Sequence, residues 1–164
     1  MSIIIVNTVY EQVHTESFSC RYEGSRMNML VFRMHAHTHS LVSTLYRVRG
    51  DEWLRVGKVD PLLPQVYRAV EPRVVVEPGD VLVGACSYRN DEDRVIHLGN
   101  SIRDENCHNY FIYYADEIDE PQWVCIGSQF PELESRLPDE AYFRPDNSSS
   151  RRFCIDQELL RKFT

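Results

Sequence analysis

The residues Val74-Val75-Val76-Glu77-Pro78-Gly79-Asp80-Val81-Leu82-Val83 form two short apolar runs on either side of a Pro-Gly turn. Runs of this length that are rich in valine are typical of β-strands. The same pattern recurs along the chain, with further turns at Glu23-Gly24-Ser25 and Arg49-Gly50-Asp51. It predicts strands at Phe18–Tyr22, Met29–His37, Leu41–Arg49, Trp53–Val59, Val66–Val70, Val74–Glu77, Val81–Ser87, Val95–Leu98, Asn109–Tyr114 and Gln122–Cys125. Short strands at regular spacing indicate an all-β fold, an antiparallel β-sandwich of the jelly-roll type.

Length and charge narrow the possible classes of function. The chain has 164 residues, enough for one domain with a core. Its net charge of −7 argues against binding to phosphate backbones or anionic membranes, which need a cationic surface. No apolar run approaches the roughly 18 residues of a membrane span. The opening residues Met1 to Val6 do not have the features of a signal peptide.

The composition changes after residue 130. Prolines at 131, 138 and 145 and the serines at 148–150 are typical of a linker. We therefore expect a β-sandwich domain over residues 1–130 and a linker or tail over residues 131–164. A short helix is predicted within the tail at Asp156–Phe163.

The five cysteines contain no CxxC pair, which argues against zinc-ribbon and thioredoxin-like sites. They are Cys20, Cys86, Cys107, Cys125 and Cys154. Wide spacing in a strand-rich chain suits disulfides, and disulfides indicate the secretory pathway or the extracellular space. Since an odd number leaves one thiol over and no signal peptide is evident, we expect the chain to be part of a larger protein.

The stretch Arg33-Met34-His35-Ala36-His37-Thr38-His39 holds three of the six histidines. Alternate side chains of a strand share one face, so we expect His35, His37 and His39 to lie on the same face, with neighbouring members about 6.6 Å apart along the strand. Two neighbouring imidazoles can therefore bind one metal ion, and a third ligand must come from another strand. Imidazole alone does not choose between zinc, copper, iron and nickel. The alternative is an exposed row of polar residues on the solvent face of a half-buried strand.

Several further motifs, in order along the chain, surround this histidine stretch. They are Phe18-Ser-Cys20, Tyr46-Arg-Val-Arg49, Pro61-Leu-Leu-Pro64-Gln65, Pro78-Gly-Asp80-Val-Leu82, His97-Leu-Gly99, Asp104-Glu105-x-Cys107, Tyr110 and Tyr113-Tyr114. With them, residues 15 to 125 resemble the C-terminal domain of the copper type II, ascorbate-dependent monooxygenases, most closely the peptidylglycine α-hydroxylating branch. The resemblance implies the same β-sandwich, with disulfides Cys20–Cys125 and Cys86–Cys107.

The resemblance also implies a copper site with an HxH ligand pair. Two registers exist, His35/His37 and His37/His39, and counting from Cys20 and from Tyr46 selects His35 and His37. The family has methionine as its third ligand where this chain has Asn106. A thioether suits Cu(I), whereas an amide oxygen holds it poorly. His108 or a water molecule are alternative third ligands, and loss of copper activity is a further alternative.

Other matched positions imply a substrate. In the family, residues matching Arg33 and Tyr110 hold the carboxylate of a glycine-extended peptide, and His108 replaces an asparagine that assists them. The implied reaction is hydroxylation of the glycine α-carbon by O₂, with ascorbate supplying electrons through a second copper in an N-terminal domain. The remaining His14 and His97 form no second copper motif, so we expect the isolated chain to be inactive. The alternative is a non-catalytic β-sandwich that binds a peptide or a partner and has lost the methionine ligand.

Overall fold

The computed structural model describes residues 13–115 and 124–142, which form two antiparallel β-sheets. Seven strands account for most of these residues. Their bounds are β1 Val13–Arg21, β2 Met27–His35, β3 Ser40–Arg49, β4 Glu52–Val59, β5 Arg68–Val76, β6 Val81–Arg89 and β7 His108–Ala115. A short helix α1, Pro131–Glu134, and a 3₁₀ helix, Asp139–Tyr142, follow the strands.

The strands are arranged as a sandwich of two open sheets. One sheet has four strands in the order β1-β6-β3-β4, and the other has three in the order β5-β2-β7. Every pairing between these strands is antiparallel. The expected all-β antiparallel sandwich is thus confirmed, and β2, which carries the histidine stretch, is the central strand of its sheet.

The core lies between the two sheets. From β2 it receives Met27, Met29, Phe32 and Met34, which meet Leu45, Val56 and Leu82 of the four-stranded sheet. The change from odd to even positions follows a register shift between Met29 and Val31. Beyond that shift, Arg33 and His35 face away from the core, because successive side chains of a strand point to opposite faces. The packing of β2 therefore sets which face carries the candidate site.

The residues after 130 contact the four-stranded sheet. Phe130, Leu133, Leu137 and Ala141 pack on its outer face against a cluster that includes Tyr46. Residues 131–142, which their prolines suggested as linker, therefore cover an apolar surface in this structure. The domain boundary at residue 130 stays a prediction, and the helix expected at Asp156–Phe163 lies outside the described residues.

Four predicted strands differ in the structure. The runs Val66–Val70 and Val74–Glu77 belong to one strand, β5, which continues through Pro72. Proline is tolerated there because β5 lies at a sheet edge. Val95–Leu98 is a loop with a single bridge from Leu98 to Glu105. Of Gln122–Cys125, the described residues 124 and 125 are not in a strand.

Both disulfides expected from the family resemblance are present in the structure. Cys20 on β1 is bonded to Cys125, and Cys86 on β6 is bonded to Cys107 just before β7. Cys154 lies outside the described residues. The described part of the chain contains no helix with the length and apolar character needed to cross a membrane.

Candidate metal centre

The site lies on the outer face of the three-stranded sheet, where β2 ends and β7 begins. In the β2–β7 register His35 is opposite His108, and Arg33 is opposite Tyr110. Directly opposed residues of an antiparallel pair point to the same face. The His35 and His108 rings stack with centroids 6.0 Å apart, and Arg33 lies over the Tyr110 ring at 5.6 Å. Four chemically active side chains are thus grouped by the strand register alone.

His37 joins this group although it lies beyond the strand. Strand β2 ends at His35, and the chain then turns at residues 38 and 39. The rings of His35 and His37 lie edge to face with centroids 5.3 Å apart. His39 points elsewhere, with Nε2 3.2 Å from a carboxylate oxygen of Glu92. The expectation that three histidines share one strand face is therefore wrong for His39.

A buried carboxylate causes this departure from strand geometry. Glu105, only 2% exposed, accepts hydrogen bonds from the backbone N–H groups of His37 and His39, the latter at 2.8 Å. It also accepts one from the N–H of Asn106 at 3.1 Å. In a continuing strand, these backbone N–H groups would instead donate hydrogen bonds to a neighbouring strand. Glu105 therefore fixes the backbone of the residues after His35 together with the backbone of Asn106, the candidate third ligand.

The ring of His37 has a defined tautomer. Its Nδ1 lies 2.8 Å from the carbonyl oxygen of Asp104, which can only accept, so Nδ1 carries the hydrogen. Nε2 then has a free lone pair and accepts a hydrogen bond from Asn106 Nδ2 at 3.0 Å. A neutral imidazole with its other nitrogen hydrogen-bonded to the protein is the form that binds metals.

Asn106 has an unsatisfied polar atom. The residue is 7% exposed, and its side-chain oxygen Oδ1 is buried without a hydrogen-bond partner among the residues that the structure describes. Leaving such an acceptor unpaired costs about 1–3 kcal/mol. Rotation of the amide by 180° would direct Oδ1 at the position beside His37 Nε2. A cation bound there would satisfy this oxygen, so the donor set of two imidazoles and one amide fits a copper ion, although the amide is a harder ligand than a thioether.

His108 is the alternative third donor. It faces His35 across the strand pair, and its Nδ1 lies 3.4 Å from the Tyr110 hydroxyl. Burial, with a further contribution from the nearby His35 and His37, lowers the pKa of His108 below its usual value. In the described residues, no three His, Cys, Asp or Glu side chains lie close enough to hold a metal ion. A three-residue site therefore needs either Asn106 or a movement of His108.

Arg33 is held in place but keeps its terminal nitrogens free. Its Nε donates to the carbonyl oxygen of Gln65 at 2.8 Å, and its guanidinium lies over Tyr110, which is 42% exposed. Neither terminal nitrogen of Arg33 is hydrogen-bonded to any group in residues 13–115 and 124–142. The guanidinium can therefore donate two hydrogen bonds to the two oxygens of a carboxylate.

Comparison with known proteins adds an independent observation. Residues 4–135 match the family model described as copper type II ascorbate-dependent monooxygenase, C-terminal domain. The chain belongs to this family.

Curated relatives agree with the family match. The chain is 32% identical over 141 residues to the mouse (Mus musculus) peptidyl-glycine alpha-amidating monooxygenase, covering 83% of the chain and 14% of that protein. The rat (Rattus norvegicus) peptidylglycine alpha-amidating monooxygenase is 31% identical over 143 residues, covering 86% of the chain and 15% of the relative. Human (Homo sapiens) dopamine beta-hydroxylase is 38% identical over 92 residues, covering 51% of the chain and 15% of that protein. The chain thus spans a small part of the length of these relatives.

Two residues of the site were not singled out by sequence reasoning. Glu105 and Gln65 both lie inside motifs that carry the family resemblance, but the sequence does not indicate what they contact. Glu105 fixes the backbone after His35, and Gln65 hydrogen-bonds His35 Nδ1 through its side chain. The sequence signal that could have indicated a role for Glu105 is its position next to Asn106.

Proposed function

We propose that this chain is the catalytic-copper half of a monooxygenase that hydroxylates the α-carbon of a C-terminal glycine in a peptide. The observation that carries the proposal is the Arg33 guanidinium, whose terminal nitrogens are free in the described structure and which lies two residues from His35 on the same sheet face. An acidic chain end bound there would place its last residue beside the candidate metal ligands.

Copper would be held by His35 and His37, with Asn106 or His108 as third ligand. Nδ1 of His37 donates to a backbone carbonyl oxygen, which leaves the lone pair on Nε2, where Asn106 Nδ2 now donates a hydrogen bond. Rotation of the Asn106 amide would free this lone pair and bring Oδ1 to the same position. When bound, copper supplies the oxygen chemistry, in which one atom of O₂ enters a C–H bond and the other leaves as water, using two electrons and two protons. We propose ascorbate as the electron source, through a second copper domain in the same or a neighbouring chain.

The residues of this chain would orient the substrate. The Arg33 fork pairs with the two carboxylate oxygens, and the Tyr110 hydroxyl lies on the same face as a further donor. His108 can donate to the carboxylate only when it is not a metal ligand. Holding the reacting carbon in a fixed place beside the metal is the main contribution that a protein makes to such a reaction.

Binding experiments on the 164-residue chain test the site. Cu(I) affinity, measured against a competing chelator, should be lost in His35→Ala. A glycine-terminated peptide should bind more tightly than the same peptide with a C-terminal amide, and Arg33→Met should remove this preference. Arg26→Met is the matched control, since Arg26 lies at the other end of β2 near Glu77. Specific copper binding that survives His35→Ala would refute the metal site, and equal binding of both peptides would refute the substrate class.

A non-catalytic peptide-binding domain is the second candidate. The amide of Asn106 at the third-ligand position favours it, because an amide oxygen is a poor ligand for Cu(I). This candidate predicts the same preference for a free carboxylate but no specific Cu(I) binding. In the complete protein, mass spectrometry separates the two, since only the monooxygenase adds one oxygen atom to a glycine-extended peptide.

The compartment follows from the disulfides. We propose that the chain is located in the secretory pathway or outside the cell, because structural disulfides persist in oxidising compartments.

A further inference from the structure

Gln65 connects the histidine strand to the segment between β4 and β5. Its side-chain amide nitrogen Nε2 donates to two backbone carbonyl oxygens, of Ala36 at 2.7 Å and of Pro61 at 2.8 Å. Its side-chain oxygen Oε1 is hydrogen-bonded to His35 Nδ1. All three bonds come from one half-buried side chain on a strand connection.

The two carbonyl contacts fix which way the Gln65 amide points. A carbonyl oxygen can only accept, so the group facing Ala36 and Pro61 must be the NH₂ group. The group facing His35 is then the oxygen, which also can only accept. Nδ1 of His35 must therefore donate, and the lone pair of its imidazole lies on Nε2. The backbone thus determines the tautomer of His35 through the glutamine.

The same residue contacts the other half of the site. The backbone carbonyl of Gln65 accepts from Arg33 Nε at 2.8 Å. His35 and Arg33 lie on one strand face, and one residue outside that strand touches both. A shift of Gln65 would change the orientation of the imidazole relative to the guanidinium.

We propose that Gln65 is a positioning residue for the metal site, which holds His35 in the ring orientation and tautomer that present Nε2 to copper. The proposal rests on the proposed function, because it assigns a role toward the metal that His35 and His37 would hold. Partners of this kind, which hydrogen-bond the second nitrogen of a ligating histidine, usually change metal affinity about 10–100-fold when they are removed. Gln65 does not touch the substrate or the metal itself.

Two substitutions separate positioning from general stability. Gln65→Met keeps the length of the side chain and removes all three hydrogen bonds, whereas Gln65→Glu keeps an oxygen acceptor for His35 and loses the donations to Ala36 and Pro61. The control is Gln129→Met, since Gln129 Oε1 accepts from the backbone N–H of Arg21 on the other sheet.

The readouts are Cu(I) affinity, melting temperature and X-ray absorption of the Cu(I)-loaded chain. We expect Gln65→Met to bind Cu(I) about 10–100-fold more weakly, with one imidazole fewer in the absorption spectrum. Gln65→Glu should melt at a lower temperature than the wild type and yet bind Cu(I) nearly as tightly. Gln129→Met should leave the affinity and the spectrum unchanged.

The outcomes separate this proposal from the proposed function. If the wild-type chain binds Cu(I) through His35 and Gln65→Met has wild-type affinity and spectrum, only the role of Gln65 is refuted. The same conclusion follows if both variants at Gln65 lose affinity in step with their melting temperatures. If the wild-type chain shows no Cu(I) binding that depends on His35, the proposed function and the role of Gln65 are both refuted.

Discussion

Replacement of Asn106 by methionine tests the most unusual position of the site. Oδ1 of Asn106 is buried and has no partner in the described part of the chain, and removing such an acceptor should stabilise the fold by about 1–3 kcal/mol. The substitution also removes the hydrogen bond from Nδ2 to His37 Nε2, a loss of about 0.5–1.5 kcal/mol. Together the two contributions predict a change in the free energy of unfolding that lies between about 0.5 kcal/mol destabilising and about 2.5 kcal/mol stabilising for Asn106→Met.

The affinity for copper should rise in the same variant. The methionine sulfur would occupy the place of the amide beside His37, and a thioether is a softer ligand for Cu(I) than an amide oxygen. We expect the affinity for Cu(I) to rise on the order of tenfold or more, which corresponds to about 1.4 kcal/mol for each factor of ten. Urea denaturation gives the stability, and competition with a chromophoric chelator gives the affinity.

Asn106→Leu is the matched control for this experiment. Leucine has a similar volume to methionine and also removes the unpaired oxygen, but it supplies no sulfur. It should match Asn106→Met in stability and lack the gain in Cu(I) affinity. Equal affinities in the two variants would show that position 106 does not contact the metal. A loss of several kcal/mol in both would show that Oδ1 is satisfied in solution.

Three further predictions concern the frame around the site. Glu105→Gln directs an NH₂ group at backbone N–H donors and should lower the free energy of unfolding by about 1.5–3 kcal/mol, measured by urea denaturation. Burial alone would raise the pKa of Asp80, but hydrogen bonds from Arg49 and the backbone outweigh it and hold that pKa below its usual value, so the ionised form is favoured in the fold. The ionised Asp80 carboxylate therefore stabilises the fold above the unfolded pKa of about 3.9, and this stabilisation is lost as the pH falls from there through the lower pKa of the folded state. Over that pH range, the difference in the free energy of unfolding between wild type and Asp80→Asn should shrink. Gly84→Ala should lower the melting temperature and cost about 1–3 kcal/mol, because an added Cβ would overlap the Phe18 ring; an unchanged melting temperature would contradict this packing.

The sequence was sufficient for the fold class because alternation and turns are local signals. Prediction from these local patterns was wrong where contacts between distant residues decide the structure. Val95–Leu98 has the composition of a strand, yet the structure has only a bridge to Glu105 there. The two runs around Pro72 belong to one strand because β5 lies at an edge, and edge position is not visible in the sequence.

The candidate site shows the same division. The strand period placed His35, His37 and His39 on one face, whereas in the structure His39 departs from the other two. That placement assumed that β2 continues past His35, whereas a carboxylate that is distant in sequence captures the backbone of the following residues. The hydrogen bonds of Gln65 are equally non-local, since its partner His35 is separated from it by two strands. Contacts between residues so far apart in the chain leave no local pattern in the sequence.

The bond between Cys86 and Cys107 has a consequence for the whole sandwich. It joins β6 of the four-stranded sheet to Cys107, which follows Asn106 and directly precedes β7 of the three-stranded sheet. Asn106 lies in the connection that leads into β7, and this covalent tie restricts the movement of that connection away from the two imidazoles. A mild thiol reductant should therefore weaken Cu(I) binding at a lower concentration than it needs to unfold the protein.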